Sequence, residues 1–116
     1  SDLAHRIERE TGNSRIHIEI ADLSLMADVD RLVRRMVQSG KPIDVLVNNA
    51  GALFNPREET CEGLERSFAL LLLSPFRLTE GLKPLLASTG KARVINVVSG
   101  GMYSQRLDLE RRFERI

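Results

Sequence analysis

The chain has one cysteine, Cys61, in 116 residues, and a lone cysteine cannot close an internal disulfide. Histidine is as scarce. His5 and His17 stand far apart, and no Cys/His cluster has the spacing of a metal site. A reducing, cytoplasmic setting is therefore expected. An excess of one charge is also missing. Lysine and arginine number 17 against 16 acids, a net of +1, which leaves no electrostatic case for nucleic acid or an anionic membrane surface. The apolar run Ala69–Leu73 falls far short of the roughly 20 residues of a membrane span. There is no internal repeat and no low-complexity stretch. The first methionine is Met26, and residues 2–10 read as the back half of a helix without a charged-then-apolar leader, so we expect a piece of a longer protein.

What is present is an ordinary globular balance, 42% hydrophobic and 28% charged, enough for one domain at most. Leu3, Ala4 and Ile7 recur at helical spacing ahead of Gly12-Asn13. Ile16, Ile18 and Ile20 then alternate with polar residues, which predicts a strand over 15–21 with one dry and one wet face, suited to a sheet edge. Ser24 is the expected N-cap of a helix over 25–39, striped by Leu25, Val29, Leu32, Val33, Met36 and Val37 and closed by Gly40 and Pro42. The continuously apolar Val45-Leu46-Val47 predicts a second strand over 44–48, buried on both faces. A long helix is expected over 62–87, interrupted by Pro75, and a third strand over 93–98. Leu109, Phe113 and Ile116 form a last helical stripe. Strands alternating with crossover helices predict an α/β fold: a partial Rossmann, doubly wound, with three parallel strands.

In an open parallel sheet, ligands bind beyond the carboxyl ends of the strands. That directs attention to Asp22, to Asn48-Asn49-Ala50-Gly51 and to Ser99-Gly100-Gly101. Small residues let a flat ligand approach the backbone. Asp22 can accept a hydrogen bond from an amine or a sugar hydroxyl, although an aspartate after a strand is more often a turn or cap residue. Ser99 can donate or accept. Cys61, His5 and His17 read as structural or surface residues. Arg111, Arg112 and Arg115, mixed with Glu110 and Glu114, read as a solvated helical face.

The run Val-Leu-Val-Asn-Asn-Ala-Gly at 45–51 resembles the signature of the short-chain dehydrogenase/reductase family. Asp-Leu-Ser at 22–24, Phe-Arg-Leu-Thr-Glu at 76–80 and the stretch 93–99 fall at matching spacings. Val-Val-Ser-Gly-Gly-Met at 97–102 is most similar to the branch around dehydrogenase/reductase member twelve. The resemblance covers nearly the whole chain and thins after Arg106. It implies an NAD or NADP cofactor, a small alcohol or carbonyl substrate and hydride transfer between the two, in a parent enzyme that is a homo-oligomer. It assigns Asp22 to the adenine amine with Leu23 beside it, and Asn49, Ala50 and Gly51 to the adenosine side of the cofactor. Asn48 matches a residue that steadies the sheet. Ser99 matches the catalytic serine, which hydrogen-bonds the substrate oxygen as charge develops there.

Three features of the family pattern are missing. No glycine-rich turn is present to cradle a pyrophosphate. Tyr103, the only tyrosine, is followed four residues later by Leu107 and not by lysine. Leu71 stands where the family has a catalytic asparagine. One reading of Leu71 is a degenerate site. The other is that Pro75, having no N–H, frees the Leu71 carbonyl for the water that the asparagine's carbonyl holds in the family. The leading expectation is a fragment of an oxidoreductase, inactive by itself. The alternative is a non-catalytic Rossmann-like module that binds a nucleotide or a partner. The family's strand order, 3-2-1-4-5, separates the first strand here from the second, so we also expect a collapse in which 15–21 pairs directly with 44–48.

Overall fold

The computed structural model describes residues 1–108, so the predicted tail stripe at 109–116 lies outside the described residues. Helix α1 (Asp2–Thr11) opens on Ser1, whose hydroxyl accepts the Ala4 N–H at 3.3 Å. It stops at Gly12, which takes the left-handed φ of 69° that side chains disfavour. None of its residues is buried.

Helix α2 (Met26–Ser39) carries the predicted stripe, with Met26 and Val29 buried and Leu32, Val33 and Met36 packed against the core. Ser24 is not its cap. The N-cap position is Leu25, which has no side-chain acceptor, and Ser24 is engaged with Asp22 instead. The orphan amides of the first turn are met from a distant loop: Glu62 accepts the Met26 N–H at 2.6 Å and the Ala27 N–H at 3.0 Å. A carboxylate there also complements the helix dipole.

Strands β1 (Val45–Asn48) and β2 (Arg93–Asn96) pair in parallel, with Val45 opposite Arg93 and Asn48 opposite Asn96. Between them the expected single helix over 62–87 is broken. Glu62 lies in a turn, and helix α3 (Arg66–Phe68) starts only after Glu65, whose carboxylate accepts the N–H groups of Ser67 and Phe68. Burial opposes the charge on Glu65, but those amides outweigh it and hold the carboxyl below the usual range. A π turn (Ala69–Leu73) follows, then α4 (Ser74–Gly81) and α5 (Lys83–Ala87). Proline at 75 cannot donate to the carbonyl four residues earlier, and the wider turn before it absorbs the misfit.

Four predictions about strands are corrected. Among the described residues the sheet has two strands, not three, and residues 15–21 pair with nothing. The expected bonds between 16–20 and 44–48 do not form. Glu19 is tied to Arg35 of α2 at 3.0 Å, and the Asp22 N–H donates to Asp28 at 2.9 Å. The segment is thereby moored to α2, and its exposed backbone is free to hydrogen-bond water. Its isoleucines have no dry face: Ile18 is 46% exposed and Ile20 85%. Nor is β1 buried on both sides. Leu46 packs on the core, whereas Val45 and Val47 are half exposed.

The core lies between α2 and the α4–α5 pair, where Val29, Leu78, Leu82, Leu85 and Leu86 are buried with Ala69. Gly81 permits the approach. A β-carbon there would come within 2.6 Å of Val33 Cγ1. Gly81→Ala is expected to destabilise the chain by about 1–2 kcal/mol, the overpacking cost less the gain in helix propensity. In a Val33→Ala background the same change becomes neutral or stabilising. Urea denaturation of the four proteins checks this; an equal loss in both backgrounds would refute the contact.

Candidate functional site

Asn48, the last residue of β1, joins three elements. Its Nδ2 donates to Asn96 Oδ1 on β2 at 2.9 Å and to Thr79 Oγ1 on α4 at 3.3 Å. Its carbonyl accepts the Val97 N–H at 3.0 Å, which carries the ladder past the end of β2. The carboxyl ends of both strands are thus locked side by side. The loops that leave them, 49–51 and 97–99, start from one rigid edge.

The structure brings Leu23, Asn49 and Ala50 together. They line a cavity of about 80 Å³, with Leu46, Leu70 and Ser74 among its other walls. Gly51 lies beside it, and a β-carbon there would sit 3.8 Å from Leu71 Cδ2, so Leu71 lies along the same loop. Asp22 is outside the cavity but adjoins Leu23. Its Oδ1 accepts the Ser24 hydroxyl at 2.6 Å and the Ser24 N–H at 3.0 Å. Those two bonds, the hydroxyl first, hold the Asp22 carboxyl below its ordinary range, with a smaller contribution from the Arg66 charge. The local turn role weighed for this residue is therefore real, and it leaves an ionised, exposed acceptor.

Ser99 also stands apart from the cavity. It is exposed at the carboxyl end of β2, where its Oγ accepts the Gly101 N–H at 3.2 Å and starts a 3₁₀ turn (Gly100–Ser104). A hydroxyl that accepts in this way keeps its own proton to donate. Tyr103, in that turn, is almost fully exposed. Cys61, His5 and His17 are exposed too. A larger open depression of about 520 Å³ runs along α1 past Asp2, His5, Glu8 and Arg9. It belongs to a single helix face and contains none of the predicted site residues.

Ser74 and Leu70 were not singled out in the sequence. Leu70, Ser74 and Leu78 recur every four residues and all line the cavity, but Ser74 interrupts an apolar run and resembles an ordinary helical serine. The one available signal was its place directly before Pro75.

An α/β layer with parallel strands, whose carboxyl ends open onto loops of small and polar residues, defines a protein of the Rossmann class. A family model described as short chain dehydrogenase matches residues 1–106, and the chain belongs to that family. It is 43% identical over 107 residues to the human dehydrogenase/reductase SDR family member 12, a match covering 92% of this chain and 33% of that protein. It is 35% identical over 112 residues to mouse polyprenol dehydrogenase, covering 93% and 33%. The chain thus spans about a third of the length of these curated relatives. Among solved structures, the bulky-bulky ketone specific alcohol dehydrogenase from Comamonas testosteroni superposes with a TM-score of 0.70 at 26% identity, over 89% of this chain and 41% of that one. A short-chain dehydrogenase from Sphingobium yanoikuyae, solved in complex with NADPH, gives 0.67 at 28%, over 89% and 40%. No helix among the described residues is long and apolar enough to cross a membrane.

Two outcomes test this geometry. Asn48→Ala should cost about 1–2 kcal/mol in urea denaturation, because two donated bonds are lost. The Asn96 amide resonances should move with it, and unchanged resonances would show that the clamp is absent in solution. Asp22 should titrate, by NMR, below the ordinary aspartate range and move up in Ser24→Ala. Its folded value is depressed, so its stabilisation is complete above the ordinary range and is lost as pH falls through the lower value.

Proposed function

We propose that residues 1–116 are part of the NAD(P)-binding domain of a short-chain oxidoreductase that moves a hydride between a nicotinamide cofactor and an alcohol or carbonyl compound. The observation that carries this reading is the Asn48 clamp, which starts the 49–51 loop and the Ser99 loop from one edge, with Leu23 lining the same cavity as Asn49 and Ala50. The donor set fits the adenosine half of the cofactor. Asp22 supplies an ionised acceptor for an amine, and Leu23 gives a flat apolar contact. Asn49, Ala50 and Gly51 provide a strip of backbone that large side chains do not obstruct.

The bound cofactor would supply or accept the hydride. Ser99 would hydrogen-bond the substrate oxygen, since its hydroxyl can donate while its oxygen is engaged by Gly101. Nothing in this chain matches the tyrosine and lysine that would move the proton, nor the glycine-rich turn that would hold a pyrophosphate. By itself the chain is therefore inactive. A cytoplasmic setting and a homo-oligomeric parent belong to the same reading.

Leu71 favours a second reading. It lies along the 49–51 loop where the family pattern has a polar side chain, as suits a non-catalytic module that binds a nucleotide or a partner. Against this, Pro75 leaves the Leu71 carbonyl without its ordinary helical donor, at the π turn.

Saturation-transfer NMR of the purified chain with NADPH tests the reading. Transfer to the adenosine protons is expected, with none to the nicotinamide protons. No transfer to adenosine would overturn the assignment of 22–23 and 49–51. NADPH oxidation with carbonyl substrates should match that of a Ser99→Ala variant, and any excess over it would contradict inactivity.

A further inference from the structure

Ser74 is 1% exposed, and its Oγ has no hydrogen-bond partner among the described residues. A serine within a helix ordinarily returns its hydroxyl to the carbonyl one turn back. Here the chain passes from the π turn into α4 at this residue, and the Ser74 N–H reaches five residues back to the Ala69 carbonyl. A buried hydroxyl without a partner is costly, and its retention calls for a reason.

The side chain borders the cavity that Leu23, Asn49 and Ala50 also line. At about 80 Å³, that space exceeds the ~10–15 Å³ a water molecule needs and falls well below the ~300–1,000 Å³ of a pocket that encloses a whole ligand. The Leu46, Leu70 and Leu78 walls offer no side-chain hydrogen bond, and the Asn48 Nδ2 donors are already committed to Asn96 and Thr79, so the polar side-chain atoms left on the lining are Asn48 Oδ1, the Asn49 amide and the Ser74 hydroxyl. Of these, the Ser74 hydroxyl is the one buried without a partner among the described residues.

We propose that Ser74 is a specificity-determining residue of the adenosine site, which anchors one ordered water that hydrogen-bonds the polar edge of a purine laid along residues 49–51. This rests on the cofactor reading above. A hydroxyl suits the task because it both donates and accepts, so the water can turn to match either kind of atom on the base.

The test is titration of the purified chain with AMP and with ribose 5-phosphate, which has no base, followed by NMR. The wild type, Ser74→Ala and Ser74→Cys are compared, the cysteine keeping the volume but donating weakly. The wild type should bind AMP more tightly than ribose 5-phosphate. Both variants should lose about five- to tenfold in AMP affinity, the loss of one hydrogen bond, and keep their affinity for ribose 5-phosphate. Without ligand, Ser74→Ala should melt at the same or a higher temperature. Equal AMP affinity in all three proteins overturns the proposal and leaves the cofactor reading standing. A parallel loss for both ligands with a lower melting temperature shows a merely structural serine and also overturns it. If the wild type gains nothing from the base, the adenosine reading and the proposal fall together.

Discussion

The burial of Val29 and Leu82 in one cluster is the contact to which the rest of the molecule is referred. Two paired strands are at best marginal in water, and each fully buried side chain of this size contributes roughly 1.5–3 kcal/mol. The helix layer therefore holds the sheet in place. Leu46 reaches from β1 into the cluster, and the Ile43 N–H donates to the Leu85 carbonyl just before β1 begins. With β1 set against that layer, Asn48 and its clamp follow, and so does the edge from which the loops depart.

Charged groups finish the helices that the hydrophobic layer positions. Glu62 meets the amides of α2 from another part of the chain, and Glu65 meets those of α3 from next door. Both acts satisfy donors that a helix start leaves open. The π turn plays a comparable part within the long connection. It accommodates a proline that cannot donate, and it delivers Leu70, Ser74 and Leu78 to the cavity wall. A continuous α-helix through this region would have left no obvious reason for Ser74 to lack a partner.

Much of the fold was legible. The helical stripe from Leu25 to Val37 announced α2, because a 3.6-residue period has one physical meaning when Gly40 closes it. Val45-Leu46-Val47 and the stretch from Arg93 announced β1 and β2. The failures share a cause. Residues 15–21 have the alternation of a strand, but a strand exists only with a neighbour at ladder distance, and the ties of Glu19 and Asp22 run to α2 instead. Ser24 had the chemistry of a cap, but Asp22 took its hydroxyl and the distant Glu62 took its place. The site divides in the same way. Asn49 and Ala50 stood out as turn-prone and small residues after an apolar strand, and Leu23 through the family resemblance, whereas Ser74 did not, because its lack of a partner is not a property of sequence.

The sequence by itself determined the elements whose stability is local: the stripe of α2, the two apolar strands, the glycine stops and the turn of small residues at 49–51. Family membership was also present in it, through the motif at 45–51 and its spacing to Ser99. Tertiary structure alone decided which strands pair, where the helix over 62–87 breaks, which carboxylate caps α2 and which hydroxyl is buried without a partner among the described residues. The physical reason is distance along the chain. Periodicity and capping act over a few residues, whereas the bonds from Glu62 to Met26 and from Asn48 to Asn96 join groups 36 and 48 residues apart, and only the packed core brings them within reach.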